Sequence, residues 1–328
     1  MKILLTGSSG FVGAALAKSI ATTSFSLVAP TRSGSVANNN SQIAGLVGTI
    51  DEINAATDWF RFLEGVETIV HCAAVSEVAK NTDAKQLHDF RSVNTDGTLN
   101  LARQAALSGV KRFVFLSSIK VNGGSTGLGA PFMCDDSPLP VDAYGLSKLD
   151  AETGLQEIAR EAGMEFVIIR PPLVYGPDVK GNFRVLVQLV EYGVPLPLSN
   201  IKNKRSFIGI DNLVDLIIAC TTHPKAANRI FLASDDDDLS TSELLNGIAQ
   251  AMGKPSRLFP CPKQVLVAAA KCVGKSALAD KLLESLQLDI SETKRLLSWV
   301  PPVSVQDGLD RCFPKSRQLF EDSSKISW

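Results

Sequence analysis

Long hydrophobic runs are absent from this sequence. Its 328 residues contain no uninterrupted apolar run of the roughly 18 residues that a membrane-spanning helix needs. The apolar part of the amino-terminal segment MKILLTGSSG is too short for a signal peptide and is typical of a first strand. Both absences predict a cytoplasmic protein without a membrane span.

An excess of charge of either sign is also missing. The chain has 33 basic and 34 acidic residues and a formal net charge of −1, which offers no electrostatic case for binding nucleic acid or an anionic membrane. The six cysteines include no CxxC pair and none stands with histidine at metal-ligand spacing, so we expect reduced thiols and no metal site. A content of 45% hydrophobic and 20% charged residues is typical of a globular protein.

Strand-like and helical patterns alternate along the first half of the chain. Buried strands are predicted where apolar residues follow one another without polar alternation, at Ile3–Leu5, Phe25–Val28, Thr68–Cys72, Arg112–Leu116 and Phe166–Ile169. Helical spacing between most of them predicts a parallel sheet with helices on both faces, a doubly wound α/β fold of the Rossmann type. We expect this dinucleotide-binding domain to span residues 1–170.

The remaining residues, 171–328, predict a smaller and mostly helical substrate-binding lobe. Helical patterns lie around 211–222, 240–252, 262–272 and 276–286. The helix near 211–222 is expected to pack back on the first domain, and Ser240 with Glu243 forms a capping-box signature. We interpret the acidic run Asp235–Asp238 as a solvated loop rather than a cation site.

A glycine motif, TGSSGFVG, directly follows the first predicted strand. Gly7, Gly10 and Gly13 are three residues apart, which suits a tight strand-to-helix turn and a close approach of backbone to a phosphate. The helix that follows offers free N–H groups and the positive end of its dipole. The motif therefore predicts a dinucleotide pyrophosphate site.

No acidic residue stands at the end of the second strand, in VAPTRS. An Asp or Glu there commonly holds the ribose hydroxyls of NAD, whereas Arg32 is suited to a 2′-phosphate. The pattern favours NADP(H) over NAD(H), which stays possible. The alternative is that Arg32 is a solvated arginine in a polar loop.

Three residues predict the chemistry. Ser118 ends the fifth strand, and Tyr144 and Lys148 in YGLSK are four residues apart, so they share one face of a helix. A lysine ammonium beside a phenol is expected to lower the phenol pKa and bring proton transfer into the working range. Ser118 can donate to an oxygen that becomes negative as hydride moves.

The sequence resembles the extended short-chain dehydrogenases/reductases of the NAD-dependent epimerase/dehydratase family. The resemblance rests on TGSSGFVG, NTDGTLNL, SSIKVNG, YGLSK, RPPLVYGP, RSFIGIDNLVD and LLSWVPPVSVQDGL, which cover nearly the whole chain. The nearest subgroup holds UDP-glucose 4-epimerase-like proteins of surface-polysaccharide pathways, including 4-keto reductases that make UDP-N-acetylquinovosamine.

The resemblance implies roles for further residues. Thr49 and Ile50 would follow the third strand and contact adenine, Asn94 would support the active-site end of the sheet, and His71 is interpreted as a core histidine. The implied cofactor residues are Gly7, Ser9, Gly10, Phe11, Val12, Gly13, Arg32, Thr49, Ile50, Cys72, Ala73, Ala74, Asn94, Tyr144, Lys148 and Pro171. The implied substrate residues are Ser118, Ile119, Lys120, Asn182 and Arg205.

Several functions stay open at this point. The first is a reductase of a UDP-4-keto-6-deoxy-N-acetylhexosamine, and the alternative is a UDP-hexose 4-epimerase. Ile119 and Lys120 replace the acidic pair that 4,6-dehydratases carry after the active-site hydroxyl, which argues against that reaction. Other classes are an inactive NADP-sensing regulator and a reductase of a non-nucleotide ketone.

By resemblance, helices near 84–107 and 143–162 would pair two subunits into a homodimer, with Ala102, Ala105 and Ala106 allowing close approach.

Overall fold

The strands of this protein are short, two to six residues each, and apolar residues fill most of their buried positions. The computed structural model describes residues 1–32, 48–76, 84–179, 181–272, 274 and 276–313. The strands are β1 Lys2–Thr6, β2 Ser26–Val28, β3 Thr31–Arg32, β4 Thr49–Ile50, β5 Thr68–His71, β6 Arg112–Leu116, β7 Glu165–Arg170, β8 Leu173–Tyr175, β9 Phe207–Gly209 and β10 Arg229–Leu232.

The helices alternate with these strands in the first half and dominate the second. They are α1 Phe11–Ile20, α2 Phe60–Leu63, α3 Ala84–Asp89, α4 Thr98–Leu107, α5 Ala143–Ala162, α6 Asn182–Glu191, α7 Ile210–Thr222, α8 Thr241–Ala251, α9 Lys263–Cys272, α10 Ser276–Leu283, α11 Ser291–Leu297 and α12 Val305–Arg311. Short 3₁₀ helices lie at Ile119–Val121 and Pro224–Ala226, and Phe90–Gly97 is π-helical.

Six strands form one parallel sheet in the order β10-β7-β6-β5-β1-β2. Its faces are covered by two apolar clusters, and consecutive residues such as Leu4 and Leu5 belong to opposite ones. Helices α1, α7 and α11 contribute to one cluster, and α2, α4 and α5 to the other. The doubly wound α/β fold predicted from the apolar runs is therefore confirmed, because strands buried on both faces need no polar alternation.

The sheet also takes one strand from the second half of the chain. β10 pairs with β7, so Arg229–Leu232 lies beside Val167–Arg170, and α7 packs against α1. A cut at residue 170 would thus place one strand of this sheet in the second part. The division into residues 1–170 and 171–328 stays a prediction.

One local expectation is corrected. Thr49 and Ile50, which were expected just after the third strand, form the strand β4 themselves, in a two-stranded parallel sheet with Thr31 and Arg32 of β3. The helical stretch predicted over 84–107 is confirmed, since α3, the π-helical segment and α4 follow one another without a break. The last residue of the π-helical segment packs tightly, because a Cβ on Gly97 would lie 2.7 Å from the Ile53 side chain.

The second half contains one confirmed cap and one corrected loop. At the start of α8, Ser240 Oγ accepts from the Glu243 N–H at 3.1 Å, and Glu243 accepts from the Ser240 N–H at 2.7 Å, which is the predicted capping box. The acidic run is not simply solvated, because Asp235 is buried and accepts from the Tyr175 hydroxyl and the Asn212 amide, both at 2.7 Å.

Within the described ranges, no helix combines the length and apolarity that crossing a membrane requires.

Candidate active site

The turn between β1 and α1 needs glycine for steric reasons. Gly7 has φ +74°, and a Cβ there would lie 2.7 Å from the Ala73 nitrogen in the loop after β5. A Cβ on Gly13 would lie 2.1 Å from the Gly7 carbonyl oxygen. These contacts bring the first turn of α1 against the ends of two neighbouring strands, which is the close packing that the motif predicts.

The same turn fits a phosphate group. Gly10 caps α1 without a side-chain hydrogen bond, and the first turn carries no acidic residue. The Ser8 hydroxyl oxygen is buried and has no hydrogen-bond partner, although buried hydroxyls normally have one. Ser9 and Gly10 are exposed, and Phe11 and Val12 are half-buried at the helix start. The residues present therefore suit a dinucleotide pyrophosphate at this turn.

The other predicted cofactor residues lie at the neighbouring strand ends. Cys72, Ala73 and Ala74 follow β5, and Thr49 is exposed beside the buried Ile50 in β4. Arg32 pairs with Ile50 through the backbone, and its side chain lies outside the described part of the chain. The role of Arg32 toward a 2′-phosphate stays a prediction.

His71 is a core residue, as interpreted from the sequence. Its Nδ1 is hydrogen-bonded to Thr6 at 2.7 Å and its Nε2 to Thr98 at 2.9 Å, and its ring stacks on Phe115. Burial, followed by the charge of Lys148, lowers the pKa of His71 to about 3. With each ring nitrogen hydrogen-bonded to a threonine, the neutral imidazole has no nitrogen free for a ligand.

Ser118, Tyr144 and Lys148 come together at the carboxyl end of β6. Ser118 precedes the 3₁₀ helix, its hydroxyl accepts from the Lys120 N–H at 3.3 Å, and it lies close enough to the Tyr144 hydroxyl to lower the pKa of that phenol. Tyr144 lies in the first turn of α5 with its ring edge against Phe90. One turn later, Lys148 is 1% exposed and donates to the Leu116 carbonyl at 2.8 Å.

The proton affinity of Tyr144 differs from the expectation. Burial, and then the Asp142 carboxylate, raise the pKa of Tyr144 to about 12, while the hydrogen bond with Ser118 lowers it. The sequence predicted that Lys148 lowers the pKa of Tyr144. In the folded chain the pKa of Tyr144 is raised instead, so that prediction is wrong. The reason is positional, because the Lys148 ammonium is bound to the Leu116 carbonyl and lies 4.4 Å from the Phe115 ring centroid. Burial also lowers the pKa of Lys148 to about 8.

A buried network under these residues was missed at the sequence level. Glu152 receives two hydrogen bonds from Arg170, at 3.0 and 2.6 Å, and one from Ser117. Arg170 also donates to Asn122 at 2.9 Å. The network joins α5 to the ends of β6 and β7. Its one sequence signal was spacing, because Glu152 lies four residues after Lys148 and eight after Tyr144, on the same helix face.

The Asn94 side chain holds the backbone of the loop after β5. Its side chain, which is 0% exposed, accepts from the Val75 N–H at 2.8 Å and donates to the Val75 carbonyl at 3.0 Å and to Ser147 at 3.1 Å. It ties the loop after β5 to α5, which agrees with the expected support of this end of the sheet. With these bonds made, Asn94 is a positioning residue rather than a direct cofactor contact.

The predicted substrate residues fall into two groups. Near Tyr144, Lys120 is partly exposed, whereas Ile119 is 4% exposed and belongs to the core, so its side chain cannot reach a substrate. Pro171 is buried, and its carbonyl accepts from the Ile119 N–H at 2.9 Å. In the second half, Arg205 donates to the Glu284 carbonyl at 3.1 Å, and burial lowers the pKa of Arg205. Asn182 begins α6, and its side chain is outside the described residues.

Among the described residues, no group of three or more His, Cys, Asp or Glu side chains is placed to hold a metal ion.

Comparison with known proteins identifies the family. Residues 3–233 match the NAD dependent epimerase/dehydratase family. A protein of Vibrio cholerae named UDP-glucose 4-epimerase is 47% identical over 319 residues, which cover 97% of this chain and 95% of that protein.

Solved structures share the fold at low identity. A UDP-glucuronic acid 4-epimerase of Bacillus cereus in complex with NAD has a TM-score of 0.75 at 21% identity, covering 98% of this chain and 100% of that one. A UDP-N-acetylglucosamine 4-epimerase of the same organism has a TM-score of 0.76 at 21% identity, covering 97% and 99%. From the glycine turn, the serine, tyrosine and lysine around β6 and the family match, it follows that the chain is an enzyme of the NAD-dependent epimerase/dehydratase family.

Proposed function

We propose that this enzyme transfers hydride at C4 of a UDP-hexose, with Tyr144 as the proton carrier. The observation that carries the proposal is the convergence of Ser118, Tyr144 and Lys148 at the end of β6, in the same sheet as the glycine turn after β1. In an open α/β sheet, ligands bind outside the carboxyl ends of the strands.

Ser118, Tyr144 and Lys148 each have a different role in the proposed reaction. A nicotinamide cofactor held at the glycine turn would supply the acceptor and donor of the C4 hydride. When a C4 ketone is reduced, its oxygen becomes negative, Ser118 donates a hydrogen bond to it and Tyr144 gives it a proton. In the opposite direction, Tyr144 takes the hydroxyl proton. Lys148, held by the Leu116 carbonyl, is the residue we assign to the nicotinamide ribose.

The leading form of the reaction is 4-epimerisation of a UDP-hexose. It is supported by the 47% identity with the Vibrio cholerae protein named UDP-glucose 4-epimerase. In this form the enzyme oxidises C4 and the resulting 4-keto sugar rotates within the site. Hydride then returns to the opposite face of the sugar, and the cofactor is retained. Arg205 and Asn182 are assigned to the nucleotide diphosphate, for which a guanidinium supplies a planar fork of donors.

The second form is reduction of a UDP-4-keto-6-deoxy-N-acetylhexosamine in surface-polysaccharide precursor synthesis. One observation favours it, and it concerns the cofactor that such a reductase consumes. Arg32 and the lack of an acid beside it support NADP(H) for this form, whereas a retained NAD suits the epimerase.

The two forms are separated by the cofactor and by the substrate that turns over. The purified protein is denatured and the released nucleotide identified, and the native enzyme is assayed for interconversion of UDP-glucose with UDP-galactose and of their N-acetyl forms. A parallel assay follows NADPH oxidation with UDP-4-keto-6-deoxy-N-acetylglucosamine. Retained NAD with interconversion supports the epimerase, and NADPH oxidation supports the reductase. No turnover in any assay would contradict C4 chemistry on UDP-sugars.

We further propose a cytoplasmic homodimer that pairs α4 and α5 with their copies. The alanines assigned to that contact need correction, because Ala102 and Ala105 are 0% exposed and pack with Ala151 and Leu155 of α5 in the same subunit. Exposed apolar residues for a second copy are Leu107 and Leu146. Light scattering at micromolar concentration is expected to give about twice the 35.1 kDa chain mass, and the chain mass alone would contradict the dimer.

A further inference from the structure

An ion pair lies directly beside the proposed proton carrier. Lys120 Nζ is 2.5 Å from Asp142 Oδ2, and each side chain is 39% exposed. The same ammonium lies 5.3 Å from the centroid of the Tyr144 ring. Exposed ion pairs contribute little to stability, so the position of this one beside Tyr144 needs another explanation.

Both members of the pair are fixed by the backbone. Asp142 caps α5, and its Oδ1 accepts from the Gly145 N–H at 2.7 Å. The Lys120 backbone packs on the same residue, since a Cβ on Gly145 would lie 2.6 Å from the Lys120 carbonyl oxygen. Gly145 thus allows the 3₁₀ helix to approach α5, which holds the ammonium and the carboxylate near the phenol.

The pair contributes opposite charges to the surroundings of Tyr144. On α5, Asp142 and Lys148 carry charge, and Glu152 lies one turn beyond Lys148. The 3₁₀ helix contributes Lys120, the end of β5 contributes the Cys72 thiol next to Lys148, and the π-helical segment contributes the Phe90 ring. The Lys120 ammonium, 5.3 Å from the ring centroid, and the Asp142 carboxylate bound to it are therefore opposite charges beside the phenol.

We propose that Lys120 and Asp142 form a charge-balanced pair that sets the proton affinity of Tyr144. The carboxylate opposes formation of the phenolate, and the ammonium bound to it offsets that opposition. Loss of either partner leaves the other charge unbalanced beside the ring. The inference rests on the proposed role of Tyr144 as the proton carrier, and it makes Asp142 and Lys120 positioning residues for that proton.

The two single variants are expected to act in opposite directions. Asp142→Asn removes the negative charge and frees Lys120, so both changes favour the phenolate. The asparagine oxygen keeps the helix cap, because Asn caps a helix as well as Asp. Lys120→Met leaves Asp142 unpaired and disfavours the phenolate. In the double variant neither charge remains, so its phenol should titrate between the two single variants.

The test measures phenolate directly by ultraviolet difference titration of the purified protein without substrate. The chain has three tyrosines, and the same titration of each variant in a Tyr144→Phe background subtracts the other two. The midpoint for Asp142→Asn is expected about one pH unit or more below that of the parent, the size typical of one nearby charge. Restoring neutrality with Lys120→Met should move the midpoint part of the way back.

A matched control comes from a similar pair elsewhere. Lys294 and Asp236 are also 2.5 Å apart, with side-chain exposures of 38% and 44%, and Asp236→Asn suits its φ of +61°. That variant should leave the Tyr144 midpoint unchanged. If Asp142→Asn does not fold, Asp142→Ser provides a second cap without charge.

The proposal is overturned if the Asp142→Asn midpoint equals that of the parent or of the control variant. It is also overturned if the double variant titrates as low as Asp142→Asn, since Lys120 would then contribute nothing. The titration involves neither a sugar nor hydride transfer. Its result can therefore be interpreted even if the proposed C4 reaction is wrong. The pH dependence of the rate is a poorer readout, because burial lowers the pKa of Lys148 to about 8 and the rate would follow both groups.

Discussion

Replacing Tyr144 by phenylalanine tests the proton carrier with the smallest structural change. The ring contact with Phe90, at 5.9 Å between centroids, is kept, and the change removes only the hydroxyl beside Ser118. Even the loss of one hydrogen bond costs only about 1 kcal/mol of stability, so the variant should fold. General acid–base catalysis contributes about 100- to 10,000-fold, so kcat should fall by that factor. This loss corresponds to about 3–5 kcal/mol in the barrier.

The assay is turnover with whichever UDP-sugar proves active, together with cofactor affinity by fluorescence. Cofactor affinity should change little, because the hydroxyl is assigned to the substrate oxygen. Tyr192→Phe is the matched control, since Tyr192 is 75% exposed at the end of α6, and it should keep full activity. Lys148→Ala should instead damage both the rate and cofactor binding. Near-normal turnover of Tyr144→Phe would mean that the proton comes from another group.

Further changes test the cofactor site and the network beneath it. Arg32→Ala should weaken NADPH binding by about 1.5–3 kcal/mol, the range for hydrogen bonds to charged groups, and leave NADH binding unchanged; equal losses for both would make Arg32 a bystander. Gly13→Ala should abolish cofactor binding, because its Cβ would lie 2.1 Å from the Gly7 oxygen, whereas Gly127→Ala, with its closest contact at 3.6 Å, should bind normally; binding by both variants would contradict the steric argument. Glu152→Gln should lower the free energy of unfolding by about 3–5 kcal/mol in chemical denaturation, because it leaves Arg170 buried without its partner, and a loss below about 1 kcal/mol would show the pair to be dispensable.

The parts of the fold that depend on neighbouring residues were predictable. The five apolar runs predicted five strands of the main sheet, the spacing of Tyr144 and Lys148 predicted one helix face, and the capping box predicted the start of α8. The strand β10 was missed, since Arg229–Leu232 is recognisable as part of this sheet only through its pairing with β7. The helix expected over 84–107 was predicted without its π-helical segment, whose last residue packs against Ile53, far away in the sequence.

The sequence by itself determined which chemical groups this protein brings to its site. A glycine turn, a serine, a tyrosine and a lysine follow from local spacing, because one strand, one turn and one helix face set their positions. The tertiary structure alone decided their protonation. Burial and Asp142 raise the pKa of Tyr144, and Lys148 binds the Leu116 carbonyl instead of acting on the phenol. Lys120 meets Asp142, and Glu152 meets Arg170, across 22 and 18 residues. Proton affinity depends on burial and on charges from other elements, so it appears only when the chain is folded.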